Sequence, residues 1–203
     1  MKTFVAISLI LILSSEVKSQ IGIIHLTDKK VNNKIQELRN NKVDTIVCYY
    51  IDCIGSKLRL ASDSCVAYDI KYLLWSDQGN HYIQRFDECK EYQSATVSSR
   101  SFGLLKSHYF EIQSGTIKYP EYKIRVNGKL GIYCSFIDHS CHYMFEIHTG
   151  NRILKKDIDD YALETKYDKE FHLNRNFYLN KKSILNKLNT AVEYDVDAYN
   201  KNH

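Results

Sequence analysis

The chain has 203 residues, 44% of them hydrophobic, and a formal charge of +4. That is enough apolar material for one core, and a single proline with eight glycines excludes a linker-rich or disordered chain. Basic and acidic residues are interspersed, so there is no basic block to meet a phosphate backbone and nucleic acid is not an expected partner.

The first residues read as an export signal. Lys2 supplies a basic start, and Phe4 to Leu13 is an apolar run of about ten residues, the size of a signal-peptide core. Val17 and Ser19 suit the −3 and −1 positions of a signal peptidase site, so cleavage is expected between Ser19 and Gln20. Residues 1–19 are then the signal peptide, and 20–203 a single exported domain. A membrane-spanning helix needs about 20 apolar residues; this run is too short, so no integral membrane segment is expected after cleavage. The first cysteine is Cys48, which closes lipid attachment at a new N-terminal cysteine.

Thr27 or Asp28 can cap a helix running to about Asn41, with Val31, Ile35 and Leu38 as its apolar stripe. Val43 to Ile51 is rich in β-branched and aromatic residues and predicts a strand. Residues 52–64 read as a loop. Ile70 to Ser76 and His81 to Asp87 flank Asp77-Gln78-Gly79-Asn80 and predict a hairpin with Trp75 and Phe86 in its arms. Phe102, Leu105, Tyr109 and Ile112 fit a helix face over 101–114, with Gly115 as its stop.

Lys129 to Lys156 predicts a three-strand meander. Leu130, Ile132 and Cys134 alternate with polar residues, as do Cys141, Tyr143, Phe145 and Ile147. Facing Cys134 with Cys141 places Ile132 opposite Tyr143, Leu130 opposite Phe145 and Lys129 opposite Glu146. A third strand follows the Thr149-Gly150-Asn151 turn, with Leu154 opposite Ile147. In the tail, Ile184, Leu185, Leu188, Ala191, Val192 and Tyr199 follow the helical period from about Lys181, with Asn180 as N-cap. Its mixed-charge polar face favours packing on the domain over lying on a membrane. The fold class is α+β: an antiparallel sheet built from a hairpin and a three-strand meander, with helices near both chain ends.

Cys48, Cys53, Cys65, Cys89, Cys134 and Cys141 are an even set in an exported chain and are disulfide candidates, with pairing left open. Their spacings are too loose for zinc. Around Cys141 lie His139 and His142, candidates for activating a nucleophile. A bridged cysteine is the more ordinary reading, and only His139 shares the strand face of Cys141. His142 and His148 lie roughly 20 Å apart along a strand, too far to share one metal ion. Asp157, Asp159 and Asp160 lack the spacing of a calcium loop and suit the opening of a short helix. Arg85, on one strand face with His81, is a candidate for an acidic ligand. There is no nucleophile elbow, zincin helix, P-loop or dinucleotide fingerprint, and no cofactor is expected.

Lys42-Val43-Asp44-Thr45-Ile46, Tyr82 to Cys89, Asp138 to His142 and Ile153-Leu154-Lys155-Lys156 resemble landmarks of exported Bacteroidetes proteins of the flavobacterial type, over about Ile35 to Leu163. The resemblance implies a diderm bacterium and a periplasmic or secreted address. No activity attaches to those proteins, so it implies no site residues. The expected function is a non-catalytic binding or interaction module for a ligand or protein partner. The alternative is a periplasmic hydrolase whose catalytic groups assemble from distant parts of the chain.

Overall fold

A computed structural model describes residues 26–53 and 69–202. The export signal, its cleavage point and most of the loop at 52–64 lie outside the described residues. Helix α1 (Leu26–Asn40) buries Val31, Ile35 and Leu38, the stripe its periodicity predicts. It ends in a left-handed residue, Lys42 (φ 63°), whose N–H donates to the Arg39 carbonyl while the Val43 N–H donates to that of Leu38. That pair of bonds satisfies carbonyls the helix would otherwise strand, and buried Val43 and Leu38 seal it.

Strand β1 (Thr45–Cys53) follows and becomes the middle of a six-stranded sheet. The expected hairpin forms as β2 (Lys71–Asp77) and β3 (Asn80–Phe86). Its turn needs left-handed backbone at both Gln78 (φ 49°) and Gly79 (φ 83°), the geometry that matches strand twist. After the two-residue edge strand β4 (Ala95–Thr96) comes α2 (Arg100–Ser114), stopped at Gly115 as expected and kinked at His108. Strands β5 (Glu121–Val126), β6 (Lys129–Cys134), β7 (Cys141–Thr149) and β8 (Arg152–Asp159) complete the β structure. Short helices α3 (Asp160–Glu164) and α4 (Phe177–Lys182) lead into α5 (Ile184–Asn200).

The sheet order is β4-β3-β2-β1-β7-β8, all antiparallel, with β5–β6 as a separate two-stranded arm. The α+β class with helices near both ends therefore holds, and Leu154 does face Ile147. The expected place of β6 does not hold. It pairs with β5 around Asn127-Gly128, while β7 lies between β1 and β8. Cys134 therefore faces Glu121, not Cys141, and Lys129 faces Val126, not Glu146. The physical reason is burial: Phe145 and Ile147 need an apolar neighbour on a covered sheet, which Tyr49 and Val47 of β1 supply.

Alternation gives the sheet two apolar faces. Ile46, Cys48, Leu73, Trp75 and Phe86 pack under α1. Val47, Tyr49, Tyr72, Leu74, Ile83, Phe145, Ile147 and Ile158 pack under α2 and α5, which contribute Phe102, Leu105, Leu185, Leu188, Val192 and Tyr199. Asn180 is not the cap of α5. Its buried amide accepts from the Lys118 N–H (3.1 Å) and donates to the carbonyls of Lys118 (2.7 Å) and Ala162 (3.0 Å). Ser183 caps α5 instead, accepting from the Asn186 N–H at 3.2 Å.

Candidate functional site

Cys141, the candidate nucleophile, is bridged to Cys53 across β1 and β7, which removes its thiol chemistry. Cys89 is also disulfide-bonded, and Cys65 lies outside the described residues. Two of the six disulfide candidates are free thiols: Cys48, buried under α1, and Cys134, exposed on the arm. Burial pushes the Cys48 thiol up to about 12, so it stays protonated and inert. His139 is exposed on the loop before β7. Arg85 is consumed internally: Nε and Nη2 donate to Asp87 Oδ2 at 3.1 and 2.9 Å, and the guanidinium stacks on Tyr92. Asp87 is fully buried and also accepts from the Cys89 and Lys90 N–H groups and the Tyr92 hydroxyl, so the cluster is a structural knot.

His142 belongs to a hydrogen-bonded row on the face of the sheet that carries α1. Its Nδ1 lies 2.7 Å from Asp157 Oδ1 and its Nε2 3.2 Å from Ser140 Oγ. Burial opposes its charge, but the Asp157 carboxylate outweighs that and holds the imidazole above its ordinary value. Further along β7, Arg39 Nη2 sits 2.7 Å from His148 Nδ1. A guanidinium only donates, so this nitrogen is bare and the ring proton sits on Nε2. Nε2 lies 2.9 Å from Glu146 Oε1, too bent for a full hydrogen bond, and the contact is electrostatic. Burial chiefly, and Arg39 next to it, keep His148 below its ordinary value and neutral. Asp159 caps α3 by accepting from the Tyr161 and Ala162 N–H groups, as the acidic run predicts. Among the described residues no three histidine, cysteine or acidic side chains converge on a metal-sized point.

The opposite face holds a cleft that the sequence reading did not single out. It lies between the C-terminal half of α5 and the adjoining ends of β1 and β2, with a volume of about 520 Å³. Tyr49, Ile51, Ile70, Tyr72 and Val196 form apolar and aromatic walls. Glu193 and Asp197, one helical turn apart on α5, supply the charge, with Asn200 at the rim. No cationic side chain lines it. Tyr72 donates to Asn200 Oδ1 at 3.0 Å, but the Tyr49 hydroxyl, in a residue only 1% exposed, has no hydrogen-bond partner. Leaving such a group unsatisfied costs about 1–3 kcal/mol. Burial first, then Asp197, lifts Glu193 above the usual carboxylate range.

Two depressions of similar size are less distinctive. The groove between α2 and α5, about 570 Å³, carries the cationic Arg100 and Lys187 and no buried unpaired polar atom. The cleft around His81, about 620 Å³, mixes Asp44 with Lys106, and the imidazole is stacked on Phe102. The signals for the α5 cleft were present in the sequence: tyrosines within otherwise aliphatic strands, and acids four apart beside the apolar stripe of the last helix. Neither is specific until the topology brings them together. Comparison with family models, with curated proteins and with solved structures gives no match.

Proposed function

We propose that the chain is an exported, disulfide-stabilised, non-catalytic binding module that holds a small ligand in the cleft under α5. The observation that carries this reading is the buried Tyr49 hydroxyl, unpartnered beside a concave, aromatic-walled cavity of ligand size. The Cys53–Cys141 bridge supports an oxidising compartment, and the apolar run at 4–13 supports a secretory route to it. No helix of the described residues is long and apolar enough to cross a membrane. Two measurements test the reading. Secreted protein from its host is expected to begin at Gln20, and small aromatic fragments are expected to shift the amide resonances of β1, β2 and the end of α5. A mature chain beginning at Met1, or fragments that touch only other surfaces, overturns it.

A periplasmic hydrolase is the second reading, and the Ser140–His142–Asp157 row is what favours it: a hydroxyl, an imidazole and a carboxylate in the order of an acyl-transfer relay. It ranks lower because Ser140 is only 4% exposed and the N–H of the adjacent Cys141 is already spent on Asp160 at 3.0 Å. Ester hydrolysis or fluorophosphonate labelling that disappears in Ser140→Ala would promote it above the binding module.

A further inference from the structure

Resting on the binding reading, we infer that the ligand of the α5 cleft is an organic cation, a protonated amine with an apolar or aromatic body. Every charge that lines the cleft is negative. Glu193 is half-buried on its wall and Asp197 exposed at its mouth, and neither has an ion-pair partner among the described residues. The basic group that acts on Glu193, weakly, is Lys181, which is paired with Glu164. A half-buried and an exposed carboxylate without a counter-charge repel each other, and a cation entering between them relieves that repulsion. The C-terminal half of a helix adds to it, because its carbonyl ends carry partial negative charge.

The walls fit the rest of such a molecule. Tyr49 and Tyr72 place aromatic rings in the wall, which favour an ammonium nearby, and Ile51, Ile70 and Val196 bury its hydrocarbon. The Tyr49 hydroxyl oxygen supplies an acceptor for an ammonium N–H that no other group uses. An anionic ligand would meet two like charges, and a neutral apolar one would leave both carboxylates and the hydroxyl uncompensated.

A charge series separates these cases. Protein purified from an oxidising compartment is titrated at neutral pH with 2-phenylethylammonium, its neutral counterpart 2-phenylethanol and the anion 3-phenylpropanoate, followed by amide shifts and calorimetry. The ammonium is expected to bind at least tenfold more tightly than the alcohol, with shifts on β1, β2 and α5, and the anion not at all. Glu193→Gln with Asp197→Asn, near-isosteric changes outside the core, is expected to erase the difference between ammonium and alcohol while leaving the far-UV spectrum and melting temperature of a folded protein. Tyr49→Phe is expected to weaken the ammonium alone. Equal binding of ammonium and alcohol, or preference for the anion, overturns the cation inference and leaves the binding module standing. Failure of all three probes to perturb the cleft overturns both.

Discussion

Asp87 shows how a single buried charge is held. Desolvation alone would push its carboxyl up, but the Tyr92 hydroxyl, the Lys90 and Cys89 N–H groups and Arg85 together bring it below the usual range. Removing it strands a guanidinium and two backbone donors, so Asp87→Ala is expected to lose about 3–5 kcal/mol in urea unfolding. A loss below 1 kcal/mol would show that the knot is ornamental. The histidines of β7 give a pH signature with two opposite slopes. The raised pKa of His142 gives stability that is complete below the unfolded imidazole value of about 6.5 and fades as pH climbs through the folded value. The lowered pKa of His148 gives stability present above about 6.5 and lost as pH falls toward its folded value. His142→Gln is therefore expected to remove the decline of unfolding free energy that begins above about pH 6.5 and to leave the acid-side loss intact. Parallel profiles for variant and parent would rule out the Asp157 pairing.

At the scale of elements, the β5–β6 arm is the instructive part. Every residue of β6 is exposed, and Leu130 and Ile132 stand 65% and 61% open. The arm is fastened at its base by buried amides: Asn174 Oδ1 accepts from the Glu121 N–H at 3.2 Å, and Asn180 brackets Lys118. Asn180→Ala is thus expected to speed amide exchange in β5 and β6 while β1 and β7 keep their protection; uniform acceleration would mean that the amide holds the whole domain instead. Cys134 on this arm should alkylate in the native protein, whereas buried Cys48 should react only after unfolding. The arm also marks the limit of sequence reading. Periodicity of the helical kind placed α1, α2 and most of α5, and the turn residues Asp77 to Asn80 placed β2 and β3, because those signals are local. Leu130-x-Ile132-x-Cys134 alternates as well against β5 as against β7, so alternation alone led to β7, the wrong partner for β6. Asn127-Gly128, a two-residue turn signal that the sequence reading passed over, marks the β5–β6 hairpin that forms. The cleft was less legible still, since Tyr49 and Glu193 meet only through long-range packing.

For the whole molecule, the decisive link is between β1 and β7. These strands are neighbours at the centre of the sheet, yet the bridge joining them spans 88 residues of sequence. Between its ends lie both partners of the hairpin, α2 and the arm, so the central pairing can form only after a long loop closes. Chain-entropy arguments assign a crosslink of that span about 4.6 kcal/mol, acting mainly by restricting the unfolded chain. The bridge sits at the C-terminal end of β1, next to Ile51 and the cleft, and so steadies the wall on which the proposed ligand rests. Replacing both cysteines, Cys53→Ser with Cys141→Ser, is expected to cost about 2–4 kcal/mol of stability with the fold retained, and to weaken fragment binding in the cleft through fraying of β1. Reductant applied to the parent should show at least both effects, since it opens the Cys89 bridge as well as this one. If the double variant matches its parent in melting temperature and exchange at the β1 end, then strand pairing with β2 and β7 alone fixes that wall, and the bridge has no part in shaping the site.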